Sequence, residues 1–192
     1  MAEIRTVAVI GAGMLGGSIA QMAALASYRT ILEDILPASL RRAETAIRCK
    51  LDEAVRLGAI SRVDADAALA RIEFASTVED ASREADLVVE AVPDEMESKI
   101  EIFTLLDKIC RPQTILAACN TSCLSVTEMA SVTYRAAKIL GMRFSTANHT
   151  VPEIELIRGH ETDDETMAAC KEFGRRIGLD VAEIREGESA LA

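Results

Sequence analysis

The chain is 192 residues long, enough for a single domain with a substantial core. Hydrophobic residues make up 49% of it but aromatics only 3%, so the core is aliphatic and offers no aromatic platform for stacking bases. With 31 acidic against 21 basic residues the net charge is −10, which argues against a nucleic-acid or anionic-membrane partner.

The first signal along the chain is Val7-Ala8-Val9-Ile10, which runs into Gly11-Ala12-Gly13-Met14-Leu15-Gly16-Gly17 and then an Ala-rich segment. This predicts a buried strand, a glycine turn and a buried helix. Gly11, Gly13 and Gly16 are spaced G-x-G-x-x-G, and each has a physical task in a dinucleotide site. Gly11 allows the tight turn, Gly13 lets the backbone approach a pyrophosphate, and Gly16 seats the helix on the sheet. Met14 and Leu15 fall in the first helical turn, whose free N–H groups and positive dipole end face the phosphates. The uncharged stretch Thr6–Tyr28 is also long enough for a signal peptide or a membrane span. Met1–Arg5 carries no net positive charge, however, and four glycines interrupt the run, so a cytoplasmic protein without a membrane span is expected.

Thr30-Ile31-Leu32-Glu33-Asp34 reads as a second strand ending in two carboxylates, with Asp34 23 positions after Gly11. A carboxylate there accepts hydrogen bonds from the adenosine ribose hydroxyls and repels a 2′-phosphate, which favours NAD over NADP. Arg41 and Arg42 keep NADP open as the alternative. Pro37 suits the first turn of a helix running to about Leu57, stopped by Gly58. Ser61-Arg62-Val63-Asp64 signals a shorter helix through Ala70. Arg41, Arg42, Arg48, Lys50 and Arg56 of this inserted helical pair suit either a solvated face or an anionic ligand.

Arg71–Ala75 and Asp86–Val92 are the third and fourth strands, the latter apolar enough to be buried on both faces. Pro93-Asp94-Glu95 carries turn and N-cap chemistry, and Met96, Ile100, Phe103 and Leu106 form the packing stripe of the helix that follows. Thr114–Ala118 is a fifth strand, ending at Cys119-Asn120-Thr121-Ser122. Ser125-Val126-Thr127-Glu128 caps a short helix. Lys138–Phe144 and Ile154–Ile157 are further strands. Thr162-Asp163-Asp164-Glu165 opens a helix that Gly178 ends, and Asp180–Arg185 forms a last strand. Alternating strands and helices after a glycine turn predict an α/β fold. Its form is a doubly wound, mainly parallel Rossmann-type sheet with a helical pair inserted after the second strand. The five cysteines (Cys49, Cys110, Cys119, Cys123, Cys170) form an odd, scattered set, better suited to small buried thiols than to a disulfide framework. Cys119-x-x-x-Cys123 lacks a second pair or a nearby histidine, so no metal is expected.

Four of these junctions together resemble one family, the NAD-binding domain of 3-hydroxyacyl-CoA dehydrogenases, including its 3-hydroxybutyryl-CoA members. They are Val9-Ile10-Gly11-Ala12-Gly13, Glu90-Ala91-Val92-Pro93, Asn120-Thr121-Ser122 and Gly141-Met142, and the likeness runs from about Ile4 to about Arg185. The resemblance implies hydride transfer between NAD and the 3-hydroxy/3-keto carbon of an acyl-CoA. It implies that Ser122 hydrogen-bonds the reacting oxygen and that Asn120 lies near the nicotinamide. Asp94 would lie near the nicotinamide ribose, and Lys99 would be a cofactor-side lysine.

The family's histidine, in Gly-x-His-Phe, takes the proton from the substrate hydroxyl, and a glutamate twelve residues later orients it. Here the words are Gly141-Met142-Arg143-Phe144 and Glu155, so the histidine position holds Arg143. A guanidinium stays protonated and offers only donors, so it cannot shuttle a proton. His149, six residues further on, lies up to about 20 Å away along an extended chain, and His160 reads as a surface residue before a helix. Thr146 stands where the family has an asparagine. After Glu186-Gly187-Glu188-Ser189 the sequence does not continue into the family's helical second domain, so that domain is expected to be absent. Stand-alone turnover is therefore doubtful, and self-association or a partner chain at the face that domain would cover is expected. A non-catalytic NAD-sensing or assembly module is the alternative reading.

Overall fold

The structure, a computed structural model, describes residues 3–119, 124–145 and 153–187. Eight strands form one sheet in the order β3-β2-β1-β4-β5-β6-β7-β8. They are β1 Thr6–Ile10, β2 Arg29–Glu33, β3 Ile72–Ala75, β4 Leu87–Glu90, β5 Ile115–Cys119, β6 Ile139–Ser145, β7 Glu153–Arg158 and β8 Asp180–Arg185. Every neighbouring pair is parallel except β6 with β7. The helices are α1 Met14–Leu25, α2 Pro37–Arg56, α3 Arg62–Ala70, α4 Val78–Ser82, α5 Met96–Ile109, α6 Val126–Ser131 and α7 Asp164–Arg176. The doubly wound, mainly parallel sheet and the helical pair after β2 are as the sequence predicts.

β1 shows why an uninterrupted apolar run becomes a central strand. Its side chains alternate between two cores, so both faces must be apolar. Val7 and Val9 belong to the core that α1, α2, α3 and α7 cover, while Ala8 and Ile10 join Phe103 and Leu106 of α5 on the other face. Full burial of a side chain the size of Phe103 contributes about 2–3 kcal/mol. α1 owes its close seat on the sheet to small residues, with Gly16, Gly17, Ala20, Ala23 and Ala24 all buried. In α2 the spacing of Ser39, Ala43, Ile47 and Leu51 turns one narrow stripe inward. Gly58, at φ +71°, provides the left-handed turn that ends this helix.

Three local expectations need correction. Sequence reading overlooked α4, although Thr77 accepts a hydrogen bond from the Asp80 N–H in the same cap geometry that marks α3. The N-cap of α5 is Glu95 with no side-chain cap bond, so the expected cap chemistry is not realised there. The buried seam of α5 is Lys99, Phe103 and Leu106, with Met96 and Ile100 only partly covered. A lysine holds the place expected of an apolar residue, and its partners (below) explain why it is tolerated.

Among the described cysteines, Cys110, Cys119 and Cys170 are buried but Cys49 is exposed on α2; Cys123 lies outside the described residues. Of the α2 cations, Arg48 pairs with Glu44 and Arg56 with Glu53, while Arg42 donates to Ser39 Oγ and Lys50 to Ser18 Oγ of α1. Among the described residues no helix is long and apolar enough to cross a membrane.

Candidate dinucleotide site

The chain leaves β1 at the centre of the sheet, builds outward through β2 and β3, and returns to β4 on β1's other side. That reversal opens a crevice beyond the carboxyl ends of β1 and β4, the place where open α/β sheets bind ligands. The glycine turn occupies it. Gly11 has φ +104°, and a Cβ there would lie 2.7 Å from the Ala91 carbonyl oxygen. Its N–H donates to the Glu33 carbonyl at 2.9 Å, and the Ala91 N–H donates to the Ile10 carbonyl at 2.8 Å. The turn is therefore stitched to both neighbouring strands. Gly16 carries α1 against this turn, and a Cβ on it would stand 1.9 Å from the Gly11 carbonyl oxygen.

Gly13 differs from both, because nothing lies within 4 Å of the position its Cβ would take. It is the N-cap of α1, with no side-chain cap bond and no acid in the first turn. Gly13, Met14 and Leu15, at the uncapped start of α1, line open space that a pyrophosphate can fill. The residues present fit NAD.

Asp34 sits just beyond β2. Its Oδ2 accepts from the Ala12 N–H at 3.0 Å and its Oδ1 from the Leu36 N–H at 2.9 Å. The carboxylate ties the glycine turn to the end of β2 and keeps lone pairs for two ribose hydroxyls.

A cleft of about 890 Å³ extends from here, lined by Gly11, Gly13, Met14 and Leu15 on one side. Ile10, Val78, Val92, Ile102 and Leu105 give it an apolar wall. Its charged lining is Glu33, Asp34, Glu79 and Asp94, with no lysine or arginine among them. Such a field disfavours the extra phosphate of NADP. Arg42 and Lys50 line a separate hollow of about 340 Å³ that reaches Gly13 and Asp34 from the α2 side.

Glu33 has only 4% of its surface exposed. Burial, with the Asp34 charge adding to it, pushes its carboxyl up to about 7. A carboxyl with a raised folded pKa holds its proton more tightly in the folded protein. Its contribution to stability is complete below about pH 4.5 and declines as pH rises to about 7. Relative to Glu33→Gln, the native chain should lose on the order of 2–3 kcal/mol between pH 4.5 and 8 in urea unfolding. A constant difference across that range would contradict this account.

Lys99 and Glu90 form an ion pair with both side chains fully buried. Lys99 Nζ donates to Glu90 Oε1 at 3.0 Å and Oε2 at 2.8 Å, and to the Cys119 carbonyl at 2.8 Å. Glu90 Oε1 also accepts from the Val92 N–H. Burial pushes the Glu90 carboxyl up, against the opposing pull of Lys99 and that N–H. Asp94 lies on the cleft wall, its Oδ1 3.9 Å from Lys99 Nζ. All three ammonium donors are thereby engaged, and they bind the end of β4 to the last residue of β5. Nothing in the sequence pattern around Lys99 signals that it is buried.

Arg143 and Glu155 are direct cross-strand partners in the antiparallel β6–β7 pair. Their side chains form an ion pair between Arg143 Nε and Glu155 Oε2. Asn120, Thr121 and Ser122 lie outside the described residues, as do Thr146 and His149. His160 is exposed, its N–H donating to Thr127 Oγ1.

Known proteins resemble this chain over most of its length. The family model for the 3-hydroxyacyl-CoA dehydrogenase NAD-binding domain matches residues 6–187. A probable 3-hydroxybutyryl-CoA dehydrogenase of Bacillus subtilis is 34% identical over 184 residues, 96% of this chain and 63% of its own length. A 3-hydroxybutyryl-CoA dehydrogenase of Bradyrhizobium diazoefficiens is 35% identical over 181 residues, covering 94% of this chain and 61% of the relative. The crystal structure of (S)-3-hydroxybutyryl-CoA dehydrogenase from Ralstonia eutropha superposes with a TM-score of 0.89 at 31% identity, covering 95% of this chain and 64% of that one. The chain thus spans a little under two thirds of these relatives' length. With the glycine turn and the acid beyond β2 in place and the family model matching nearly the whole chain, this chain belongs to the 3-hydroxyacyl-CoA dehydrogenase family, of which it represents the NAD-binding domain.

Proposed function

We propose that this chain takes up NAD to act on a 3-hydroxyacyl-CoA type of substrate, and that by itself it turns such a substrate over slowly or not at all. The observation that carries this reading is the Arg143–Glu155 ion pair at the position where the family's histidine and glutamate stand. NAD, when bound, supplies the hydride acceptor.

The chain's own residues then have separable tasks. Gly13 and the start of α1 admit and hold the pyrophosphate, and Asp34 accepts from the adenosine ribose. Asp94 accepts from the second ribose, a role its position on the cleft wall supports. Asn120 and Ser122, by resemblance, meet the nicotinamide and the substrate oxygen. Arg143 can donate a hydrogen bond to that oxygen and polarise a carbonyl, but it has no lone pair with which to accept the hydroxyl proton. Glu155, which would orient a neutral imidazole, neutralises the guanidinium instead.

The test is NADH titration by fluorescence, followed by acetoacetyl-CoA-dependent NADH oxidation in the native chain and in Arg143→His. NADH uptake with negligible turnover is expected in the native chain. The histidine variant should gain on the order of a hundredfold, the usual worth of a placed general acid–base. Turnover by the native chain at a rate unchanged by histidine would overturn the proposal. Uptake in both proteins with turnover in neither would favour the non-catalytic, NAD-responsive module.

A further inference from the structure

Glu33 is the last residue of β2, nearly fully buried, and it lines the dinucleotide cleft. Its side chain has no hydrogen-bond or ion-pair partner among the described residues. Its oxygens are not sealed in the core but open on the cleft, so a largely buried carboxyl without a protein partner is left available to a ligand. Strand alternation supplies a direction. Leu32 packs toward the α1 face, whereas Ile31 belongs to the core under α4 and α5, and Glu33 follows Ile31. Its carboxyl therefore lies on the same side of the sheet as Val78, Ile102 and Leu105, which wall the cleft.

That combination matches one part of a dinucleotide. An adenine has two apolar faces and an edge on which the N6 amine, a donor, lies beside a ring nitrogen, an acceptor. With Asp34 beyond β2 taking the adenosine ribose, the base lies at this end of the cleft. We infer that Glu33 is a specificity-determining residue that reads the adenine edge, its neutral carboxyl accepting from the N6 amine and donating its O–H to the adjacent ring nitrogen. This rests on the reading of the cleft as the NAD site.

The surroundings keep that proton in place. Around Glu33 the cleft presents Asp34 beyond its own strand, Glu79 of α4, paired with Arg83, and Asp94 after β4. β1 offers only Ile10, α5 only Ile102 and Leu105, and the turn after β3 only Ser76 and Thr77. The ionised carboxylate would instead set a second lone pair against the ring nitrogen and add a fourth negative charge to the cleft. Affinity for NAD should accordingly fall as pH rises through about 7, the value to which burial lifts the Glu33 carboxyl.

The experiment is calorimetric titration of the full chain with NAD and with its 1,N6-ethenoadenine analogue, at pH 6 and pH 8.5. The analogue has no N6 hydrogens and a blocked N1. Glu33→Gln and Glu33→Val serve as variants, and neither threatens folding because each removes a buried ionisable group. The native chain should bind NAD about tenfold more tightly at pH 6 than at pH 8.5. Glu33→Gln, which presents a donor and an acceptor at every pH, should bind equally at both, and this controls for Asp34, Glu79 and Asp94. Glu33→Val should weaken NAD about tenfold at pH 6 and leave the etheno analogue unchanged. If Glu33→Val binds NAD as the native chain does, the adenine role is overturned while the NAD site stands. If the folded native chain takes up no NAD at millimolar ligand, the site and the adenine role fall together.

Discussion

Gly13→Ala should leave the unfolding midpoint within experimental error of the native chain while lowering NAD affinity by about a hundredfold, or about 2.7 kcal/mol. Gly16→Ala, three positions on, should do the opposite first: it should destabilise the fold by at least about 3 kcal/mol. The difference lies in what a methyl group would meet. At Gly13 the backbone is extended (φ −71°, ψ −173°), a conformation any residue adopts, and no atom stands within 4 Å of the added carbon. The space is reserved for a ligand, so only ligand binding reports its loss. At Gly16 the added carbon falls 1.9 Å from a backbone oxygen of the turn, and α1 must lift off the sheet. Urea unfolding and NADH fluorescence titration of both variants check the pair. Native affinity in Gly13→Ala would mean that no pyrophosphate lies against the turn.

Lys99→Met should cost about 3–5 kcal/mol, because it leaves the Glu90 carboxylate buried without its countercharge and the Cys119 carbonyl without its donor. The double variant Glu90→Gln with Lys99→Met should recover most of that loss, since the penalty arises from one uncompensated charge rather than from the pair's net worth. Chemical unfolding of the two single variants and the double gives the coupling energy directly. A double variant no more stable than Lys99→Met would contradict the account. The effect bears on the site as well as on the fold, because the same ammonium holds the end of β5, one residue before Asn120.

Much of this molecule was legible from its order of residues. Val7–Ile10 reads as a doubly buried strand, since a short, β-branched-rich apolar run ending in a glycine turn suits the centre of a parallel sheet. The caps at Ser61, Ser125 and Asp163 were visible because a hydroxyl or carboxylate bonding an N–H three residues on is a local event. Arg143 at the histidine position was readable through the family resemblance, from the words Gly141-Met142-Arg143-Phe144.

Other features depend on residues far apart in the chain meeting in space. The burial of Lys99 was hidden because the group that pays for it comes from another strand: Glu90 ends β4 and the Cys119 carbonyl ends β5. Glu33 had no role in the sequence, where only its neighbour Asp34 was singled out for the ribose. Only the sheet, by turning alternate residues to opposite faces, separated it from Asp34 and enclosed it beneath α4 and α5. The pairing of Arg143 with Glu155 likewise needed the antiparallel turn of β7 to set the two directly opposite. Sequence by itself determined most of the element order and the glycine cradle, because those follow from local sterics and periodicity, while the family was read from the resemblance of its motifs. The tertiary structure decided which charges are buried and what they face, because burial is a property of neighbours that the chain brings together only when it folds.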